Sequence, residues 1–153
     1  MRVSVGLIEN APVAKVKSAS RIAGFMTAKA KILVVDDEIS VGAMIVFLLT
    51  RSGCEAETAR NAEQALRLAQ AGDFDLITLD IELPGSGGFE IYRRLKEIPQ
   101  LRDTPICFIS GCPTMENIQR ALDLGAADFI EKPFETQNFL SRILSLVEET
   151  TTA

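Results

Sequence analysis

Histidine is absent from the 153 residues, and so is tryptophan. Without an imidazole the chain has no histidine general acid or base and no histidine-ligated metal. For the same reason it cannot be a histidine kinase or carry a phosphohistidine. Cysteine is scarce: Cys54, Cys107 and Cys112 are an odd number without metal-type spacing, so they read as free thiols in or near a core, suited to a reducing cytoplasm. No run approaches the ~18 consecutive apolar residues of a membrane span, and no signal peptide is visible. The G-x-x-x-x-G-K-[ST] phosphate loop of nucleotide hydrolases is missing as well. Any chemistry must therefore be carried by carboxylates, lysine and hydroxyls.

What is present is a well-dispersed 47% of hydrophobic residues in a chain of one-domain length, enough for a sizeable core. Charge is uneven. Residues 1–31 hold six of the 16 basic residues and one of the 21 acidic ones, leaving the remainder strongly acidic. An acidic body argues against direct nucleic-acid binding. Residues 1–29 show no strong period and include Pro12, so they read as a weakly ordered extension before a domain at 30–149, with a short tail at 150–153.

Within the domain the chain alternates. KILVV (31–35) reads as a strand, and Val41, Met44, Ile45 and Leu48 form one face of a helix ending near Ser52-Gly53. CEAETA (54–59) is a second strand, and Asn61 caps the next helix with Gln64 at capping-box spacing. Ala62, Ala65, Leu66 and Ala69 supply that helix's apolar face. FDLITLD (74–80), TPICFIS (104–110) and ADFIE (127–131) are further strands. Helices are expected from about Phe89 to Ile98, over 114–124 up to Gly125, and along a last stripe of Phe139, Ile143, Leu146 and Val147. Five near-continuously apolar strands alternating with helices predict an α/β fold, a doubly wound parallel sheet covered on both faces.

Sites in such sheets lie at the carboxyl ends of the strands. There the chain places Asp36 and Asp37, then Asp80, then Ser110, then Lys132. Three crowded carboxylates repel one another unless a cation intervenes. An all-oxygen donor set selects a hard ion, Mg²⁺ or Mn²⁺. Glu38, by contrast, reads as the acidic start of the following helix. Asp80 precedes the Pro/Gly loop IELPGSGG, which leaves it open to an incoming group, and carboxylate nucleophiles form acyl phosphates. Lys132 and Ser110 would then neutralise and hydrogen-bond the phosphoryl oxygens.

This set resembles the receiver domain of two-component response regulators, from about residue 31 to 148. KILVVDDE is similar to the family's first strand with its acidic pair, and LDIELPGSGGFE to its phosphoacceptor stretch, with Leu83-Pro84 where Met-Pro is commoner. FISG resembles its Ser/Thr strand end and ADFIEKPF its lysine–proline motif. The resemblance implies a flavodoxin-like (βα)5 fold with strand order 2-1-3-4-5. It implies a phosphorylation-dependent signalling switch, not an enzyme acting on a separate substrate. Asp80 would accept a phosphoryl group from a histidine kinase or histidine phosphotransfer protein. Asp37, Asp80 and the Glu82 carbonyl would ligate Mg²⁺, and Asp36 would act through a bound water. Lys132 would contact the phosphoryl group and precede a cis bond to Pro133. Ser110 would move toward the phosphoryl group with Phe129 swinging in behind it. Phe129 lacks the hydroxyl of the commoner tyrosine, so its switch would be one of packing.

The Glu82 side chain is expected beside Asp80, where its charge would repel water or phosphate donors, while Gly111 leaves the other side open. With few residues after the last helix, the chain is expected to be a stand-alone cytoplasmic receiver acting through its helix 4–strand 5–helix 5 face. A piece of a longer protein would read the same way. The alternative is a metal-dependent phosphatase with an aspartyl nucleophile. That mechanism calls for a D-x-D arrangement, and here Ile81-Glu82 follows Asp80.

Overall fold

The computed structural model describes residues 29–152, so the expected N-terminal extension lies almost wholly outside the described residues. Five parallel strands are ordered β2-β1-β3-β4-β5. They are β1 (Lys31–Val35), β2 (Glu55–Ala59), β3 (Leu76–Asp80), β4 (Ile106–Ser110) and β5 (Asp128–Glu131). The intervening helices are α1 (Ile39–Arg51), α2 (Ala62–Ala71), α3 (Gly87–Lys96), α4 (Met115–Leu124) and α5 (Thr136–Thr152). A 3₁₀ turn, Pro99–Leu101, follows α3. Strand order and class are those expected.

Because strand side chains alternate between faces, each apolar strand feeds two cores. Leu33, Val35, Ile77, Leu79 and Phe108 point to the side of α2, α3 and α4, where Ala65, Ala69, Ile91, Leu95 and Ala121 meet them. Ile32, Val34, Leu76, Cys107, Ile109 and Ile130 point to the opposite side, against Ile45 and Leu49 of α1 and Phe139, Ile143 and Val147 of α5. Burial on both faces is why these strands read as continuous apolar runs rather than alternating ones.

The helix ends follow local chemistry. The Asn61 side chain accepts from the Gln64 N–H at 2.9 Å, and Gln64 Oε1 accepts from the Arg60 N–H at 2.8 Å, one residue before the position a capping box would use. Gly125 ends α4 at φ 92°, a left-handed conformation that glycine adopts without a Cβ clash.

The expected face of α1 is corrected. Gly42, Ile45 and Leu49 are its buried residues, whereas Met44 is exposed and Val41 and Leu48 are half-buried. ISVGAMIVFLLTR is apolar on more than one side, so periodicity alone could not choose the core-facing stripe. The buried stripe runs through Gly42, Ile45 and Leu49, with Gly42 facing Thr58 of β2, where a Cβ would make ordinary contact at 3.4 Å.

Candidate functional site

The carboxyl ends of β1, β3, β4 and β5 bring four of the expected residues together. Asp36 follows β1 and is 3% exposed, with its N–H donating to the Ala59 carbonyl at 3.0 Å. Asp80 closes β3 and is equally buried. Lys132 follows β5, anchored by its N–H on the Ser110 carbonyl at 2.8 Å, and the Lys132–Pro133 bond is cis. Its ammonium reaches across the sheet to Asp36 Oδ2 at 2.9 Å and Asp80 Oδ2 at 3.1 Å. The remaining carboxylate oxygens accept backbone N–H groups: Asp36 Oδ1 from Glu38 and Asp80 Oδ1 from Glu82, each at 2.9 Å.

The cation that balances the strand-end acids in this structure is therefore Lys132. Glu38 joins the group, with Oε1 3.5 Å from Lys132 Nζ. It also occupies the N-cap position of α1, as expected for the acidic start of that helix, though without a side-chain capping hydrogen bond. Among the described residues, oxygens of Asp36, Glu38 and Asp80 lie within 4.8 Å of one another. Asp37 is half-exposed and lies outside that triad. Phe129 is half-buried against the α2–α3–α4 core.

One ammonium shared between two buried carboxylates leaves the balance unequal. Burial pushes Asp80 up to about 6, and the nearby Asp36 charge adds to this, although the Glu82 N–H and Lys132 pull the other way. Burial works against the charge of Lys132, yet hydrogen bonds and attraction from Asp36 and Asp80 hold it well above the usual lysine range.

The loop after Asp80 depends on one glycine. Gly88 donates its N–H to the Ile81 carbonyl at 2.9 Å. A Cβ on it would lie 2.6 Å from Ile81 Cα and closer still to the Asp80 carbonyl oxygen. Gly88→Ala is accordingly expected to cost about 1–3 kcal/mol in urea unfolding, as overpacking of backbone does. A change within about 0.5 kcal/mol would show that the loop absorbs the methyl group.

The model of the response regulator receiver domain matches residues 32–144. The chain belongs to that family. It is 36% identical over 117 residues to the transcriptional regulatory protein CusR of Escherichia coli K12, an alignment covering 76% of this chain and 51% of CusR. It is 36% identical over 119 residues to the phosphate regulon transcriptional regulatory protein PhoB of Pseudomonas aeruginosa, covering 78% and 52%. The chain thus spans about half the length of the curated relatives it matches. Among solved structures, Vibrio cholerae chemotaxis protein CheY4 superposes with a TM-score of 0.75 at 34% identity, covering 78% of this chain and 99% of CheY4. The BeF3-activated DrrB receiver domain gives 0.70 at 27% identity, covering 78% and 98%.

Two features escaped the sequence reading. One is Glu38. The other is the exposed apolar surface of α1, where Ile39, Met44 and Phe47 are open to solvent. Beside it, Val41, Met44, Lys132, Pro133 and Phe134 line a cleft of about 410 Å³. The triplet of apolar residues was visible in ISVGAMIVF, but its exposure depends on how α1 is rotated against the sheet.

Proposed function

We propose that Asp80 accepts a phosphoryl group from a phosphohistidine on a partner kinase or phosphotransfer protein, and that the phosphorylated protein signals through protein–protein contacts. The observation that carries this reading is the placement of Asp80 at a strand end, bridged by Lys132 and beside the Ser110 strand end. In the transfer, the phosphorus–nitrogen bond of the donor breaks as a bond forms to an Asp80 carboxylate oxygen. The imidazole leaves with the electron pair and takes up a proton. Lys132, already 3.1 Å from Asp80 Oδ2, needs little movement to contact a phosphoryl oxygen. Hydrolysis later returns the carboxylate and releases phosphate. The domain catalyses both steps on itself.

The oxygen-only donor set of Asp36, Glu38 and Asp80 fits a hard divalent cation, Mg²⁺ or Mn²⁺. Asp37, Asp80 and the Glu82 carbonyl remain the proposed ligands, with Asp36 acting through water and Glu38 available on the rim. When bound, the ion supplies positive charge opposite the phosphoryl oxygens. Ser110 and Phe129 are the proposed switch pair.

The exposed Ile39, Met44 and Phe47 offer a docking face beside Lys132 for the phosphohistidine partner. Met115 and Leu122 of α4, exposed on another side, support a downstream protein target at the α4–β5–α5 face. Nucleic acid has no part in this reading, and the setting is cytoplasmic. No described helix is long and apolar enough to cross a membrane. The phosphatase alternative finds no support. The carboxylate in the D-x-D position belongs to Glu82 and is bound to Ser110 and Gly111, not poised over Asp80.

Incubation with acetyl phosphate and Mg²⁺ is expected to add one phosphoryl group by intact-protein mass. The adduct should disappear with EDTA and in Asp80→Ala. An adduct that persists in Asp80→Ala would place the chemistry elsewhere.

A further inference from the structure

The Ser110 hydroxyl is fully buried and already engaged. It donates to Glu82 Oε2 at 2.5 Å and accepts from the Cys112 N–H at 2.8 Å. The second Glu82 oxygen, Oε1, accepts from the Gly111 N–H at 3.0 Å. Glu82 also donates its own N–H to Asp80 Oδ1 at 2.9 Å. One residue therefore straddles the two loops that flank the site. Its backbone holds the Asp80 carboxylate, and its side chain holds the start of the β4–α4 loop.

The carboxylate presents two anionic oxygens to one hydroxyl and one backbone amide. Those donors match what an anionic phosphoryl group on Asp80 would seek. A serine hydroxyl has a single proton to donate, so it cannot serve Glu82 and a phosphoryl oxygen together. The Gly111 N–H is likewise committed. Both contacts are charge-assisted and therefore stronger than neutral hydrogen bonds. Glu82 is otherwise solvent-exposed, so on release its carboxylate can be rehydrated in place.

We infer that the Glu82 carboxylate is an internal latch. It competes with the phosphoryl group on Asp80 for the Ser110 hydroxyl and the Gly111 amide, and it holds the β4–α4 loop in the resting position until displaced. The inference rests on the phosphoacceptor reading above and makes Glu82 a positioning residue. It differs from simple repulsion of an incoming anion. Repulsion by Glu82 is indifferent to Ser110, whereas a latch acts through it.

The test is a two-by-two set: wild type, Glu82→Ala, Ser110→Ala and the double variant, each titrated with beryllofluoride in Mg²⁺ as a phosphoryl mimic. A ligand gains affinity when a competing resting contact is removed. Glu82→Ala is expected to tighten binding about tenfold when Ser110 is present, about 1.4 kcal/mol. In the Ser110→Ala background the gain should fall to about threefold or less, the residue of the Gly111 contact.

A second readout needs neither metal nor mimic. The Gly111 amide resonance of the metal-free protein should shift, and its hydrogen exchange accelerate, in Glu82→Ala. Equal tightening in both backgrounds would assign the effect to charge repulsion and overturn the latch. So would no tightening, or an unmoved Gly111 amide. Failure of all four proteins to bind the mimic would overturn the phosphoacceptor reading and the latch with it.

Discussion

Lys132→Met is expected to lower the melting temperature of the metal-free protein by roughly 10 °C at about pH 8, with most of the loss recovered in Mg²⁺. Asp36 and Asp80 are each 3% exposed, and Lys132 is the ammonium that both contact. Removing one partner of a buried ion pair costs about 3–5 kcal/mol because the other charge is left uncompensated. The variant has a way to limit that cost. Asp80 already sits at about 6 beside the lysine, so without it the group rises further and takes up a proton. An acid whose folded-state value exceeds its unfolded one favours the folded state at low pH and loses that advantage as pH rises. The Lys132→Met penalty should therefore be small near pH 5 and grow toward pH 8. Thermal unfolding by circular dichroism in EDTA and in Mg²⁺, at both pH values, reads all of this. A melting temperature within about 3 °C of wild type in EDTA at the higher pH would mean that Lys132 does not balance the buried acids.

The parts of this site that were legible in the sequence are those set by strand periodicity. Asp36, Asp80, Ser110 and Lys132 each terminate or follow an apolar run, and a parallel sheet gathers such ends whatever the loops do. The strand order and the two-faced core follow from the same pattern. What stayed hidden depends on contacts between distant residues. The pairing of Lys132 with Asp36 spans 96 positions, and that of Ser110 with Glu82 spans 28. Nothing local in DDE marks the lysine as the resting counter-charge, so a metal looked necessary to relieve the crowding. Glu38 is the N-cap residue of α1, the local role its position suggests, but its reach to Lys132 could not be read locally. The Glu82 side chain was expected beside Asp80; its carboxylate is bound to Ser110 and the Gly111 N–H, while its backbone N–H holds Asp80. Its partner could not be read, because adjacency of the β3 and β4 loops is a property of the sheet. On α1 the missing information was rotational.

The same acids give a prediction with the opposite sign. In metal-free buffer Asp80→Asn should be more stable than wild type at about pH 8, by on the order of 2 kcal/mol, and equal to it near pH 4. The ordinary carboxyl value of 3.8 rises to about 6 for Asp80, mainly through burial. Across that interval the folded protein holds a proton that the unfolded chain has released. Stability attributable to this group is thus fully present below the lower value and lost as pH climbs through the upper one. The asparagine variant has no such proton to lose. It keeps the shape of the side chain, and Lys132 retains Asp36 and Glu38 as partners. Subtracting the two melting curves, measured in EDTA between pH 4 and 8, isolates Asp80 from other titrating groups. A flat difference, or a less stable variant at the alkaline end, would show that attraction to Lys132 outweighs burial. Adding Mg²⁺ should then invert the ranking. Saturation at about 100 times the dissociation constant stabilises a binding-competent folded state by about 2.7 kcal/mol. Only wild type keeps the complete acidic set, so the carboxylate that destabilises the empty domain would become the one that stabilises it when loaded.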